Sequence, residues 1–417
     1  PGSVLRYAIQ TGECSLDPYW KLESLFAEGG EYDSSAQDVV VSAFRKSVAL
    51  RSGCRDLLGL SLSGGLDSRG ILAALGEQAR ELHTYTLGLD GCADQGLAAR
   101  MARVAGTRHE FIELDKSYIE NFQEMALEMI RLSDGMYHPH ESTEMLALKY
   151  FERAPFKILL RGHGGETAKA ALAYPVMASP EILCCSSGSD VLASIFKITN
   201  LVMRDIDGEK LFAPWFFDWV RNSPMESLRE SCGNVSDSLA PADVCVFYYI
   251  SEHIRRQVVA SLEIFRTKVE IRMPYVDDTF LGALFKLPVS MRNRGEVHRR
   301  LVKTCMPALM KIPDSNTGAP LDAGAIRLVV TDKFNSLMKR LSVKGFRHYT
   351  EYQKWHREGF RESSQRIIFS DQTASRNLYN MDNLRTVFDA HISGEKDYGH
   401  LLGTIVGLEL WFRSFVD

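Results

Sequence analysis

The sequence contains no C-x-x-C pair, no apolar run near the roughly 18 residues that span a bilayer, and no excess of basic charge. Each absence excludes something. Eight irregularly spaced cysteines in 417 residues, with Cys184 and Cys185 adjacent, do not make a disulfide framework. Reduced, mostly buried thiols in a cytoplasmic protein are expected instead. With 49 Lys and Arg against 53 Asp and Glu, the formal net charge is -4. No overall field then draws nucleic acid or an anionic membrane, and neither is expected as a partner. The first residues, PGSVLRYAIQTGEC, lack a basic segment followed by an apolar core, so no secretory signal is read there. The chain begins at Pro1 rather than Met, and a missing upstream segment is expected.

What is present is ordinary globular composition, 45% hydrophobic and 24% charged, in a chain long enough for two or more cores. Ser34-x-x-Gln37 has the spacing of a capping box, and Val40, Phe44 and Val48 share one face of the helix behind it. Leu57 to Leu62 is a run of strand length, followed after a glycine turn by a helix reaching about Leu82. LHTYTLGL reads as a second strand. Asp94 opens a helix with Leu97, Met101 and Val104 on one stripe and Gly106 as its stop. RHEFIEL is a third strand, helical patterns start at Tyr118 and Ser142, and FKILLRGHGG is a fourth strand running into a second glycine loop.

Strands alternating with helices predict an α/β fold, a doubly wound, mostly parallel sheet with extensive additional helices. From about Ala171 strand signals fade and buried helices continue to the end, as in VLASIFKITNLVM, VCVFYYISEHIRRQVVASLEIF and LLGTIVGLELWFRSFV. The expected organisation is a connecting segment over residues 1–33 and one domain over 34–417. Within that domain, 34–170 form the nucleotide-binding core and 171–417 a mainly helical part packed on it. Ligands of such sheets bind beyond the carboxyl ends of the strands, where both glycine loops fall.

The first loop reads LSLSGGLDSRG, residues 60–70. Gly64 and Gly65 permit positive φ and close backbone approach, Ser63 and Ser68 add hydroxyls, and backbone N–H groups at a helix start favour phosphate. Asp67 suits Mg²⁺ bridged to phosphate oxygens rather than phosphate itself. The bland alternative is a tight turn with an Asp cap. No Gly-Lys-Ser/Thr follows, so this is not a Walker A loop. The Ser-Gly-Gly-Leu-Asp-Ser string resembles the pyrophosphate loop of the ATP pyrophosphatase superfamily.

Further stretches are similar to the synthetase half of asparagine synthetase B-like proteins: YTLGLDGCADQGLAARMARVAGTRHEF, VEIRMPYVDDTFLGALFKLP, the carboxyl-terminal YNMDNLRTVFDAHISGEKDYGHLLGTIVGLELW, and the junction-like PGSVLRY with Tyr19-Trp20. The resemblance implies an adenine nucleotide alpha-hydrolase-like fold and an ATP-dependent ligase. ATP and Mg²⁺ are its implied cofactors. The nucleotide site would comprise Leu62, Ser63, Gly64, Gly65, Asp67, Ser68, Leu87, Gly88, Gly162 and Gly164, with Asp67 and Glu166 holding the metal.

The family's Gly-Glu-Gly-x-Asp-Glu block is Gly162-His163-Gly164-Gly165-Glu166-Thr167 here. His163 replaces a glutamate implicated in handling the intermediate and reads either as a general base or as a loop histidine bonded to a carbonyl. The family lysine falls at Ser315 or Asn316, with Lys311 several residues early. In His298-Arg299-Arg300-Leu301, Arg299 is either a phosphate-reaching catalytic cation or part of a solvated helix face. Glu270 and Arg272 in an apolar neighbourhood read as a structural ion pair or as an element orienting His163. His138-Pro-His140-Glu141 is expected in an extended segment forming a pocket wall rather than a zinc site.

The implied reaction adenylates a small-molecule or peptide carboxylate, releasing pyrophosphate, and then forms an amide. The nitrogen is ammonia, from glutamine by way of an upstream glutaminase domain or partner, or an amine. Intramolecular amines give lactams or macrolactams, as in β-lactam synthetases and lasso cyclases. A sulfur-transferring tRNA enzyme would need nucleophilic cysteines and a basic surface, which are lacking. A non-catalytic nucleotide-binding protein is the remaining alternative.

Overall fold

The computed structural model describes residues 2–26, 35–173 and 179–417, with the side chains of residues 140, 141, 173 and 353 left aside. Its centre is a five-stranded, all-parallel sheet in the order β5-β4-β3-β6-β7. The strands are β3 (Leu58–Ser61), β4 (His83–Gly88), β5 (Arg108–Glu113), β6 (Ile158–Leu160) and β7 (Glu270–Arg272). The first four are the predicted ones. β7 was not predicted, because three residues with charged ends carry no strand pattern. It pairs with β6, Ile158 opposite Glu270 and Leu160 opposite Arg272, so the mainly helical half supplies one edge of the sheet.

Successive residues of β6 enter different cores. Leu160 belongs to the cluster built on α1 (Ala36–Ser52) and α2 (Asp67–Leu75), and Leu159 to one built on the helices Phe122–Ser133, Met145–Arg153 and Gly399–Phe415. Both leucines are fully buried. A sheet covered on both faces is the doubly wound arrangement.

Several local expectations need correction. Ser34 of the capping box lies outside the described residues, and α1 starts after Ser35 with no side-chain cap. Val40, Phe44 and Val48 are buried as predicted. α2 stops at Leu75 because Gly76 adopts φ +57°, and a 3₁₀ turn continues to Glu81. On α3 (Ala93–Ala105) the buried face is Ala98, Met101, Ala102 and Ala105, while Val104 is exposed. Gly106 ends it with φ +76°. Pro139 opens a 3₁₀ turn over Pro139–Glu144, so the extended geometry expected of this segment stops at His138. Residues 2–26, within the expected connecting segment, hold an antiparallel hairpin of β1 (Ser3–Tyr7) and β2 (Cys14–Pro18). All eight cysteines are free thiols, but only Cys92, Cys232 and Cys245 are buried. Among the described residues no helix is long and apolar enough to cross a membrane.

Candidate active site

The first glycine loop continues the β3–β4 pairing beyond the sheet. Leu62 N–H donates to the Tyr85 carbonyl at 2.8 Å, and the Thr86 hydroxyl donates back to the Leu62 carbonyl. Ser63 N–H then donates to Ser68 Oγ at 3.1 Å, Gly65 N–H to Ser63 Oγ at 3.3 Å, and Gly64 N–H to Asp94 Oδ1 at 2.7 Å. The loop is thus organised on hydroxyls and a carboxylate. Neither Gly64 nor Gly65 takes the positive φ expected of it. Gly64 is required by close approach instead: a Cβ there would lie 2.7 Å from Ser315 Cβ and 2.9 Å from Asp94 Oδ1.

Positive φ falls on the second loop, at Gly164 with +88°. This loop packs directly on the start of α2. A Cβ at Gly165 would lie 2.5 Å from Asp67 Oδ1, and one at Gly162 2.9 Å from Asp67 Cβ. The two loops, at adjacent strands β3 and β6, therefore share one carboxylate. Asp67 is no helix cap: Oδ2 pairs with Lys169 Nζ at 2.7 Å, and Oδ1 faces His298 Nε2 at 3.0 Å without completing a hydrogen bond. The Tyr275 hydroxyl donates to the Asp67 carbonyl at 3.0 Å. Burial pushes the Asp67 carboxyl up, but Lys169 and His298 outweigh it and hold the group below its ordinary range. For Glu166, burial and the Asp67 charge act together and push the carboxyl up to about 7. Its Oε2 accepts the Gly164 N–H at 3.0 Å.

Residues 40–176, which carry both loops, match the asparagine synthase family. This stretch is an asparagine synthase domain. Domains of this family are ATP-dependent, amide-forming ligases. No curated protein matches the chain.

Beside the loops of the asparagine synthase domain lies a cavity of about 230 Å³ lined by Leu62, Ser63, Leu87, Tyr85, Glu144 and Arg161, among others. Leu62 and Leu87 line this cavity, whereas Gly88 is packed tightly on Cys92 and Tyr349. Arg161 is buried, 3.5 Å from Glu144 Oε1, and its Nη1 donates to the Tyr85 hydroxyl at 3.3 Å. Its Nε donates to His163 Nδ1 at 3.4 Å, which leaves the imidazole proton on Nε2. Burial, with the Arg161 charge beside it, pushes His163 down to about 3. So weak a base suits a neutral hydrogen-bond donor better than the general base among the expectations.

The remaining predicted residues are dispersed. Arg299 Nη1 donates to the Arg294 carbonyl at 2.8 Å, and Arg300 pairs with Asp38, so both lie on a helix face turned to other partners. The residue of this segment that reaches Asp67 is His298. Glu270, 60% exposed at the amino end of β7, pairs with Arg272 at 2.7 Å, the structural alternative among its expected roles. Lys311 is exposed and paired with Asp322. Tyr137 lines the site cavity, whereas His138 lines a separate one with Trp411. The side chains of His140 and Glu141 are outside the described residues.

Arg161, Glu144 and Tyr85 were not foreseen, and neither were three cations outside the cavity. Lys169 pairs with Asp67. Arg69, fully buried, donates to the carbonyls of Gly64, Ile312 and Pro313 at 2.9, 2.7 and 2.6 Å. Its signal was its place three residues after Leu66 and three before Leu72, on the buried stripe of α2. Lys339, on the helix Ala325–Arg340, donates to the Ser315 carbonyl at 2.8 Å, and nothing in the local sequence links the two.

The donor set at Asp67 and Glu166 fits Mg²⁺. It is two hard carboxylates, and Asp67 Oδ1 lacks a hydrogen bond. Among the described residues no three His, Cys, Asp or Glu gather as ligands. Mg²⁺ is commonly held by one or two carboxylates together with substrate phosphates.

Proposed function

We propose that the chain is a ligase that adenylates a substrate carboxylate with ATP and passes the acyl group to a nitrogen nucleophile. The observation supporting this reading is the packing of the second glycine loop, through Gly162 and Gly165, on Asp67, the carboxylate that directly follows the first loop.

A carboxylate oxygen attacks the α-phosphorus, the α–β phosphoanhydride bond breaks, and pyrophosphate leaves. Ammonia or an amine then attacks the acyl carbon, and AMP departs with the former carboxylate oxygen. Loops 62–66 and 162–166 would hold the phosphates, and Asp67 and Glu166 would hold Mg²⁺, which would supply positive charge beside the leaving pyrophosphate. Lys339, tethered to Ser315 beside Gly64, supplies the cation that the family carries at the Ser315 or Asn316 position. Arg161 and Glu144 orient the acyl substrate in the tyrosine-walled cavity, and His163 offers Nε2–H to the acyl oxygen. Positioning and charge stabilisation are all such a reaction requires of the protein.

Exchange of labelled pyrophosphate into ATP tests the first step without knowledge of the nucleophile. Exchange that depends on an added carboxylate supports adenylation. Nucleotide binding without exchange, over a broad carboxylate panel, contradicts it.

A further inference from the structure

Lys169 follows the 3₁₀ turn Gly165–Ala168 that carries Glu166, and its ammonium is 2.7 Å from Asp67 Oδ2 with only 12% of the side chain exposed. The other Asp67 oxygen faces His298 Nε2 at 3.0 Å. One oxygen of this carboxylate is therefore paired with an ammonium, and the other has an imidazole nitrogen beside it without a completed hydrogen bond. We propose that Lys169 is a resident counter-ion that keeps free divalent cations off Asp67 and yields only to a cation carried in on the phosphates of the nucleotide. This rests on the reading that Asp67 and Glu166 hold the nucleotide's cation.

The physical case is one of competition. A Mg²⁺–carboxylate bond is about 2.1 Å, so a cation on Oδ2 and an ammonium at 2.7 Å from the same atom crowd two positive charges together. Bare cation must displace Lys169 with nothing to receive the ammonium in a nearly enclosed site, which is costly for an unpaired buried charge. Cation arriving on a triphosphate brings its own anions, and the released ammonium becomes a phosphate ligand. Without Lys169, the buried Asp67 carboxylate would lose its cationic partner while the Glu166 carboxyl, near enough to feel its charge, remained, which favours binding of any available cation. Cation and nucleotide thereby bind in positive cooperation, each weak without the other.

Titration of Mn²⁺ into the nucleotide-free full chain, read by the electron paramagnetic resonance of free Mn²⁺, tests this directly. Lys169→Met should bind Mn²⁺ at least about tenfold more tightly than the unmodified chain, within the range of ordinary coupling between sites. The gain should vanish when Asp67→Asn is added. Lys169→Gln, which keeps a hydrogen-bond donor at Asp67, guards against loss of folding in the methionine variant and should show the same direction. Equal Mn²⁺ affinity in the unmodified chain and both folded variants would overturn the proposal. So would a gain that survives Asp67→Asn. Neither nucleotide nor substrate is needed for this readout. Failure of the ligase reading would appear as absent pyrophosphate exchange with the manganese difference intact, and failure of the counter-ion as the reverse.

Discussion

The Ser315 N–H donates to the Gly64 carbonyl at 3.1 Å, tying the first glycine loop to a segment far along the chain. The contact leaves no room for a side chain at position 64. Gly64→Ala places a methyl 2.7 Å from Ser315 Cβ, and the strain should cost roughly 1–3 kcal/mol. The expected outcome is a lower melting temperature together with weakened ATP binding by calorimetry. Gly65→Ala, where the nearest atom is Ser63 Oγ at 3.4 Å, should be the milder change in both measurements.

Arg69 holds that same junction from inside. Its guanidinium serves the carbonyls of Gly64, Ile312 and Pro313 while wholly buried. Arg69→Met strands those acceptors and should destabilise the fold by roughly 2–4 kcal/mol. Lysine, with one compact ammonium, cannot span the carbonyls as the planar fork does. Urea unfolding of Arg69→Lys should therefore show most of the same loss. A lysine variant as stable as the unmodified chain would rule the clamp out.

Lys339 is expected to act on chemistry rather than on folding. Its ammonium is fixed on the Ser315 carbonyl at 2.8 Å, at the edge of the loop pair. Lys339→Met should lower the rate of pyrophosphate formation by roughly 10²–10³-fold, as removal of one charge-stabilising group does. ATP affinity should change far less. If the variant loses ATP affinity while the rate at saturating ATP is unchanged, Lys339 contributes to ground-state binding alone.

A pH effect resides away from the site. His356 is buried in the second core, 5.6 Å from the Phe360 ring, and burial, with His391 beside it, pushes it from 6.5 down to about 4. Between these values the unfolded chain takes up a proton that the folded chain refuses. Stability is therefore full above pH 6.5 and falls as the pH drops toward 4, by an amount on the order of 1–3 kcal/mol from this residue. Urea unfolding at pH 7.5 and pH 5 should show a smaller difference in His356→Gln than in the unmodified chain. An unchanged difference would assign the acid sensitivity elsewhere.

Much of the architecture was legible because its signals are local. Four strands, the helices between them and both glycine loops rest on runs and turns within a few residues of each other, such as Leu57 to Leu62 followed by Gly64 and Gly65. β7 was not, since a three-residue strand is defined by its neighbour β6 rather than by its own pattern. The same distinction runs through the site. Asp67 and the loop glycines stand in a recognisable string, and the structure puts them together. Lys169, His298 and Lys339 reach the site only through tertiary packing, and the sequence around Lys169 and Lys339 looks like ordinary helix and loop. Arg299 illustrates the converse: its neighbour His298 faces Asp67, while Arg299 turns back to Arg294. One step along a helix turns a side chain by about 100°, so a short basic run cannot show which member faces inward.

On the proposed reading, Asp67 and the glycine loops beside it activate a carboxylate with ATP. The most direct measurement is pyrophosphate release from ATP and Mg²⁺ over a panel of carboxylate substrates, with Asp67→Ala alongside. Release should depend on a particular carboxylate and be lost in the folded variant. Release that persists in Asp67→Ala, or ATP binding with no release for any carboxylate when ammonia and amines are also supplied, would contradict it.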